Sequence, residues 1–217
     1  MNEGECSAHA DHAADCGGPR RRDKEATKRA LLDAARSVFA ERGFDAATTR
    51  EVAGRAGLNE QLIQRYFGGK AGLLEALVES YGREEEADAA SLPPLAETLE
   101  AEIEAMLSHE VGRCWERREL AKVVMDRALV DPEVARRMAE AAEGCRAARL
   151  QERLETFRAR GAIAADLDLC AIAQGIATLG FGLGFLDRVV FDGCPRRTDE
   201  ILRAQARVLA GGLRPQP

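Results

Sequence analysis

Between Thr48 and Lys70 lie side chains whose chemistry suits duplex DNA: Thr48, Thr49, Arg50, Asn59, Glu60, Gln61, Gln64, Arg65, Tyr66 and Lys70. Glutamine can make two hydrogen bonds to adenine, and arginine can do the same to guanine. The hydroxyls of Thr48, Thr49 and Tyr66 and the ammonium of Lys70 suit phosphates, the ammonium standing near a helix N-terminus. Taken singly, Gln64 and Arg65 fit an ordinary solvated helix face equally well, so the set rests on its spacing. A second set lies near the start of the chain, where Cys6, His9, His12 and Cys16 fall within eleven residues. Two thiolates and two imidazoles could hold zinc or a soft copper ion. The spacing is not that of a zinc finger, whose ligand pairs stand further apart, and an uninvolved polar tail explains it too. No cofactor is assigned.

The DNA-suited residues need a scaffold, and the surrounding residues supply one. A first helix is expected from near Lys24, with Leu31, Leu32, Ala35, Val38 and Phe39 on one face and Gly43 as its left-handed end. Thr48 and Glu51 have the capping-box spacing that opens a second, short helix. Gly57 ends it, Asn59 can cap a third helix over 60–66, and Gly68-Gly69 closes that one. Two short helices joined by a tight glycine turn are a helix-turn-helix. Such a unit presents the N-terminal and outer face of its second helix, here Glu60, Gln61, Gln64 and Arg65, to the major groove. Val52, Leu58, Ile63 and Phe67 are its candidate core.

Charge is distributed to match. Residues 1–19 carry four acids and no Lys or Arg, residues 20–70 carry twelve bases against seven acids, and residues 71–217 carry nineteen bases against twenty-six acids. The net charge of -6 therefore conceals a basic segment between acidic ones, and local charge governs phosphate affinity. Arg20-Arg21-Arg22 reads as a flexible basic arm before the first helix or as a solvated linker.

Aromatics are 5% of the chain and charged residues 31%, and no long alternation of β-branched residues occurs. The fold expected is all-helical, with about nine helices. A fourth helix runs from Lys70 into Glu84-Glu85-Glu86. After Ser91-Leu92-Pro93-Pro94, helices are expected to about His109, from Gly112 to about Val130, from Asp131-Pro132 to Arg160, and over 167–190 and 197–212. The apolar run Ile176 to Leu186 is read as too short to span a bilayer. No secretory leader is read at the start, and the scattered Cys114, Cys145, Cys170 and Cys194 suit reduced thiols, so the expectation is cytoplasmic. No nucleophile–base pair or phosphate loop is visible, so no enzyme is expected.

The stretch from about Thr27 to Leu77 resembles the DNA-binding domain of the TetR family of regulators. The residues that carry the resemblance are AARSVFAERGF at 34–44, TTREVAGRAGL at 48–58 and RYFGGKAGLLEAL at 65–77. The resemblance implies a homodimer on a palindromic operator, with repression released by a small-molecule effector. It implies a base contact for Arg50 and phosphate contacts for Tyr66 and Lys70. It also implies an effector pocket and a dimer interface of the last two helices in the C-terminal domain. Gln61 and Gln64 depart from the family, which commonly has Gly, Ala or Pro and Tyr there.

The resulting division is a tail with a basic arm (1–23), a helix-turn-helix domain (24–85), and a helical ligand-binding and dimerisation domain (86–217). Gly175, Gly180, Gly182 and Gly184 would allow close helix approach, either between copies or inside one chain. Met106, Trp115, Met125, Met138, Phe157, Phe181 and Phe185 are candidates to line the pocket. The partners expected are double-stranded DNA, a second copy and a small molecule, and no membrane. The competing reading is a metal- or small-molecule-binding dimer whose helix-turn-helix no longer reads DNA.

Overall fold

A computed structural model describes residues 19–89 and 92–215, with the side chains of 19–22, 85–89 and 141–146 left out. Cys6, His9, His12 and Cys16 lie outside the described residues, as do the side chains of Arg20, Arg21 and Arg22. Among the described residues there are nine α-helices and no strand: α1 Pro19–Arg42, α2 Thr49–Ala56, α3 Gln61–Phe67, α4 Lys70–Ala89, α5 Leu99–Glu116, α6 Arg118–Ala128, α7 Pro132–Ala159, α8 Leu169–Phe181 and α9 Pro195–Leu213. A π-helical segment, Gly182–Val190, continues α8.

Helix ends follow their capping residues. Gly43 and Gly57 take left-handed φ values of 76° and 65°. Asp131 accepts from the amide of Glu133 at 3.1 Å, with Pro132 in the first turn of α7, as its Asp-Pro start predicts. Asp168 accepts from Cys170 and Ala171 at the start of α8.

Several boundaries differ from the sequence reading, and three of the differences have a clear local cause. Helix α1 begins at Pro19 rather than Lys24; proline's fixed φ suits a first helical turn. Helix α3 runs 61–67 rather than 60–66, because the Asn59 carboxamide accepts from Gln61 N at 2.8 Å. The break expected between His109 and Gly112 lies instead at Arg117. Glu110, Arg113 and Cys114 are buried, so α5 runs on past Gly112 to cover them.

Buried side chains form two clusters. One joins Leu31, Val38 and Phe39 of α1, Val52 of α2, Ile63 of α3 and Leu73 and Leu77 of α4 to Leu120 and Val124 of α6 and Phe185 and Val189 of the π segment. The other joins Ile103, Met106 and Leu107 of α5 to Leu150, Leu154 and Phe157 of α7, Ile176 of α8 and Leu202 and Ala206 of α9. Fully buried Glu102 pairs with Arg153 and accepts from Ala96 N at 2.8 Å. Arg153 also donates to the carbonyls of Pro93 and Pro94. A buried carboxylate is tolerable only with such partners, and these fix the connector before α5.

The small-residue pattern of α8 divides between two faces. A Cβ on Gly180 would stand 2.7 Å from Glu110 Cβ, and one on Gly184 would stand 2.8 Å from Cys114 Cβ, so these two glycines let α8 and the π segment close on α5. Gly175 and Gly182 meet nothing within 4 Å and face outward. The π-helical hydrogen bond of Phe191 N to Leu186 O closes the segment at 2.9 Å. Thr198 Oγ1 then donates to Asp187 Oδ2 at 3.0 Å, tying α9 back.

The continuous rod Leu169–Val190 has 22 residues, long and apolar enough to cross a membrane by length and composition. This corrects the reading of the run as too short, which stopped at Leu186. Ala173, Ile176, Ala177, Phe185 and Val189 of the rod are buried inside the protein, and the rest of its surface is half-buried or exposed.

Candidate nucleic-acid interface

Thr48 begins the interface. Its hydroxyl oxygen accepts from Glu51 N at 3.2 Å while Glu51 Oε2 accepts from Thr48 N at 2.9 Å, the reciprocal capping box. Those hydrogen bonds, together with nearby Arg42, hold the Glu51 carboxyl below the usual glutamate range. The Thr48 hydroxyl is thus committed to its own helix. The turn follows through Gly57, where the Leu58 amide donates to Ala53 O at 3.0 Å. Val52, Ala53 and Ile63 are buried beneath it, as expected of a helix-turn-helix core.

Thr49 Oγ1 donates to Glu60 Oε1 at 2.6 Å and joins the starts of α2 and α3. Arg50, Asn59, Glu60, Gln61, Gln64 and Arg65 are exposed, and Thr49, Tyr66 and Lys70 are half-buried. Asn59 spends its carbonyl oxygen on the α3 cap. Lys70, the first residue of α4, donates to Asp45 O at 3.0 Å and sits 4.5 Å over the Phe44 ring.

The arginines divide into two groups. On the flanks, Arg42 pairs with Glu51, and Arg55 pairs with Glu41, whose carboxyl is thereby lowered. On the outward face, Arg50 and Arg65 carry no ion pair among the described residues, though Arg65 lies 5.7 Å from the Tyr66 ring. An exposed guanidinium without an internal partner keeps its donors for a ligand. Lys24 was not singled out by sequence, yet it stands 5.9 Å over the Tyr66 ring. Only the packing of α1 brings it there, and no sequence spacing signals it.

A cavity of about 260 Å³ lies among α4, α6, α7 and α8. Met125, Met138 and Phe181 line it as expected, and among the described residues Tyr81, Ala139, Gln174, Ala177 and Thr178 line it as well. The other pocket candidates lie elsewhere. Met106 and Phe157 are fully buried core, and Phe185 is buried in the other cluster, stacked on Phe181 with 5.3 Å between ring centroids. Trp115 is half-exposed between Arg118 and Arg188, each 4.8 Å from its ring.

Residues 31–77 match the model of bacterial regulatory proteins of the tetR family. Among solved structures the chain is similar to Salmonella enterica GusR, with TM-score 0.67 and 18% identity over 91% of this chain and 100% of that one. It is similar to the fatty acid degradation regulator FadR from Bacillus halodurans, with TM-score 0.67 and 22% identity over 92% and 98%. A Rhodococcus sp. RHA1 protein of unknown function gives TM-score 0.66 and 25% identity over 87% and 96%. No curated protein matches the chain.

Proposed function

We infer that this chain, whose residues 31–77 match the model of bacterial regulatory proteins of the tetR family, is a ligand-responsive transcription regulator of that family. It binds a palindromic operator as a homodimer, represses, and is released by a small molecule. The observation that carries the reading is the outward face of α2 and α3. Arg50, Gln61, Gln64 and Arg65 stand exposed there on a capped helix-turn-helix, and its two arginines have no ion pair among the described residues.

We assign base reading to Arg50, Glu60, Gln61, Gln64 and Arg65. Tyr66 and Lys70 would hold phosphates, with Lys24 as an addition to them; Thr49 would join them once its hydroxyl turns from Glu60. Thr48 and Asn59 serve mainly to set the helix starts. Residues 24–85 make the reading unit and 86–217 the effector and dimer unit. The similar folds of the Salmonella enterica and Bacillus halodurans proteins support the class of regulator.

Dimerisation is supported by exposed apolar side chains in and just after the π segment and on α9. Leu186, Val190, Phe191 and Val208 are exposed to 47%, 50%, 73% and 68%, more apolar surface than a lone helix pair needs to leave in water. A two-fold pair would present two copies of α3 to two half-sites.

The test is fluorescence anisotropy on duplexes recovered by random-sequence selection, against scrambled duplexes over a salt series. Preference for a palindromic duplex that persists at about 0.15 M salt is the expected result. Equal, salt-labile binding to every duplex would overturn the reading.

A further inference from the structure

We propose that Glu60 reads a cytosine in each half-site of the operator, and that Thr49 is the positioning residue that aims its carboxylate. The proposal rests on the reading of α2 and α3 as a DNA-reading unit, and names one base pair of the duplex it takes.

Glu60 is held at both ends. Its backbone, with φ -55° and ψ -33°, already has helical geometry ahead of α3, and its carbonyl accepts from Ile63 N at 3.0 Å. Ile63 is buried, while Glu60 is exposed beside Gln61 and Gln64. Capping of α3 falls to Asn59, whose side chain accepts from Gln61 N at 2.8 Å, and the Glu60 side chain makes no cap hydrogen bond. Glu60 Oε1 accepts instead from Thr49 Oγ1 at 2.6 Å, from the start of α2. Thr49 is half-buried and β-branched, so its χ1 has little freedom. An exposed glutamate otherwise samples many rotamers and loses them on binding. Here that ordering precedes the encounter with DNA, which favours a directed contact.

The oxygen left over, Oε2, selects the base. A carboxylate only accepts hydrogen bonds. Guanine offers N7 and O6 to the major groove, and thymine offers O4 and a methyl group, so neither base donates. Adenine offers its N6 amine beside the N7 acceptor, whose lone pair opposes a carboxylate. Cytosine presents its N4 amine, the donor that glutamate accepts from. Phosphates repel the carboxylate at every site, whatever the sequence. Only a donating base offsets that repulsion, so Glu60 works as much by rejecting the other pairs as by binding this one.

The Thr49 hydroxyl has a single hydrogen to give. On a duplex with the matching cytosine it stays on Glu60. On other duplexes it is free to turn to a phosphate. Thr49 thereby serves affinity for any sequence in one setting and base choice in the other.

The test uses the full chain and the operator recovered by random-sequence selection, with anisotropy on every single-base-pair variant of that duplex. One position per half-site should prefer cytosine by at least about tenfold. Glu60→Gln should move the preference there to another base and leave the other positions unchanged, because an amide both donates and accepts. Thr49→Val keeps the shape and removes the donor. It should lower the cytosine preference by about two- to tenfold, and Thr49→Ser should restore it. Replacing that cytosine by 2-pyrimidinone deletes the N4 amine. This should weaken the unaltered chain at least about fivefold more than it weakens Glu60→Ala. Glu60 is exposed, so both of its variants should keep the helical circular dichroism.

A selected operator whose base preferences are the same in Glu60→Gln would overturn the proposal and leave the regulator reading standing. A cytosine preference untouched by Thr49→Val would overturn it too, as would equal losses to 2-pyrimidinone with and without the Glu60 carboxylate. Selection that recovers no preferred duplex removes the regulator reading, and this proposal with it.

Discussion

At the residue scale, the proposed recognition and the stability of the fold rest on different side chains of one short segment. Gln64 is exposed on α3. Its replacement by alanine should cost about 1–3 kcal/mol against the selected operator and relax preference at one base pair. Anisotropy on single-base operator variants reads this directly. Thr48 acts through the fold. Thr48→Ala should lower stability by about 0.5–2 kcal/mol, measured by denaturant melts. Acid should have a related effect. Glu51, Glu41, Asp131 and Glu133 are all held below their usual carboxyl range, chiefly by hydrogen bonds to Thr48, Arg55, Arg127 and Arg136 respectively. A carboxyl lowered on folding contributes stability above its unfolded value, about 4, and that contribution is lost as pH falls through and below it. Thermal midpoints should therefore drop on acidification below about pH 5. Glu51→Gln should lower the neutral-pH midpoint and flatten that drop. The candidate contacts were legible here because caps, turn glycines and outward polar residues are local signals. The cation over Tyr66 was not, since Lys24 belongs to α1, remote in sequence.

At the element scale, what mattered was how helices meet. The positions of α2, α3 and α4 followed from Thr48, Gly57 and Gly68-Gly69. The α5–α6 break did not, because burial of Glu110, Arg113 and Cys114 decides it and only the packing of α8 reveals that burial. The turn of α8 into a π segment was equally hidden, although its glycines were conspicuous. Two of those glycines proved to serve contacts inside the chain and two an open face. Another glycine joins the reading helix to its support. A Cβ on Gly72 would lie 1.6 Å from the Phe67 carbonyl oxygen. Gly72→Ala must push α4 away from the end of α3. We expect loss of operator binding together with destabilisation of more than about 1 kcal/mol. Circular dichroism melts and anisotropy check both. Retained affinity would mean that α3 is held by its other contacts alone.

For the whole molecule, the proposed dimer rests on exposed apolar side chains of the π segment and of α9. Val208→Asp, at a position 68% exposed, should leave the protomer folded but convert a dimer to monomers in sedimentation velocity. Operator affinity should then fall by at least about a hundredfold, since half-sites would be bound singly. An unchanged sedimentation coefficient would remove this face from the interface.

The cluster that runs from Leu31 and Phe39 through Leu120 and Val124 to Phe185 and Val189 also bears on how such proteins can be rebuilt. The helix-turn-helix segment has no clean seam with the remainder. Glu84 of α4 accepts from Arg36 of α1 at 3.0 Å and lies 3.3 Å from Arg117, at the α5–α6 break. Phe44 lies between Lys70 and Arg127. Grafting residues 24–85 onto another regulator's sensing half would leave half of a packed surface without its complement. Exchange of operator specificity should therefore succeed by transplanting the outward residues of α2 and α3 alone, and fail when the unit is moved whole.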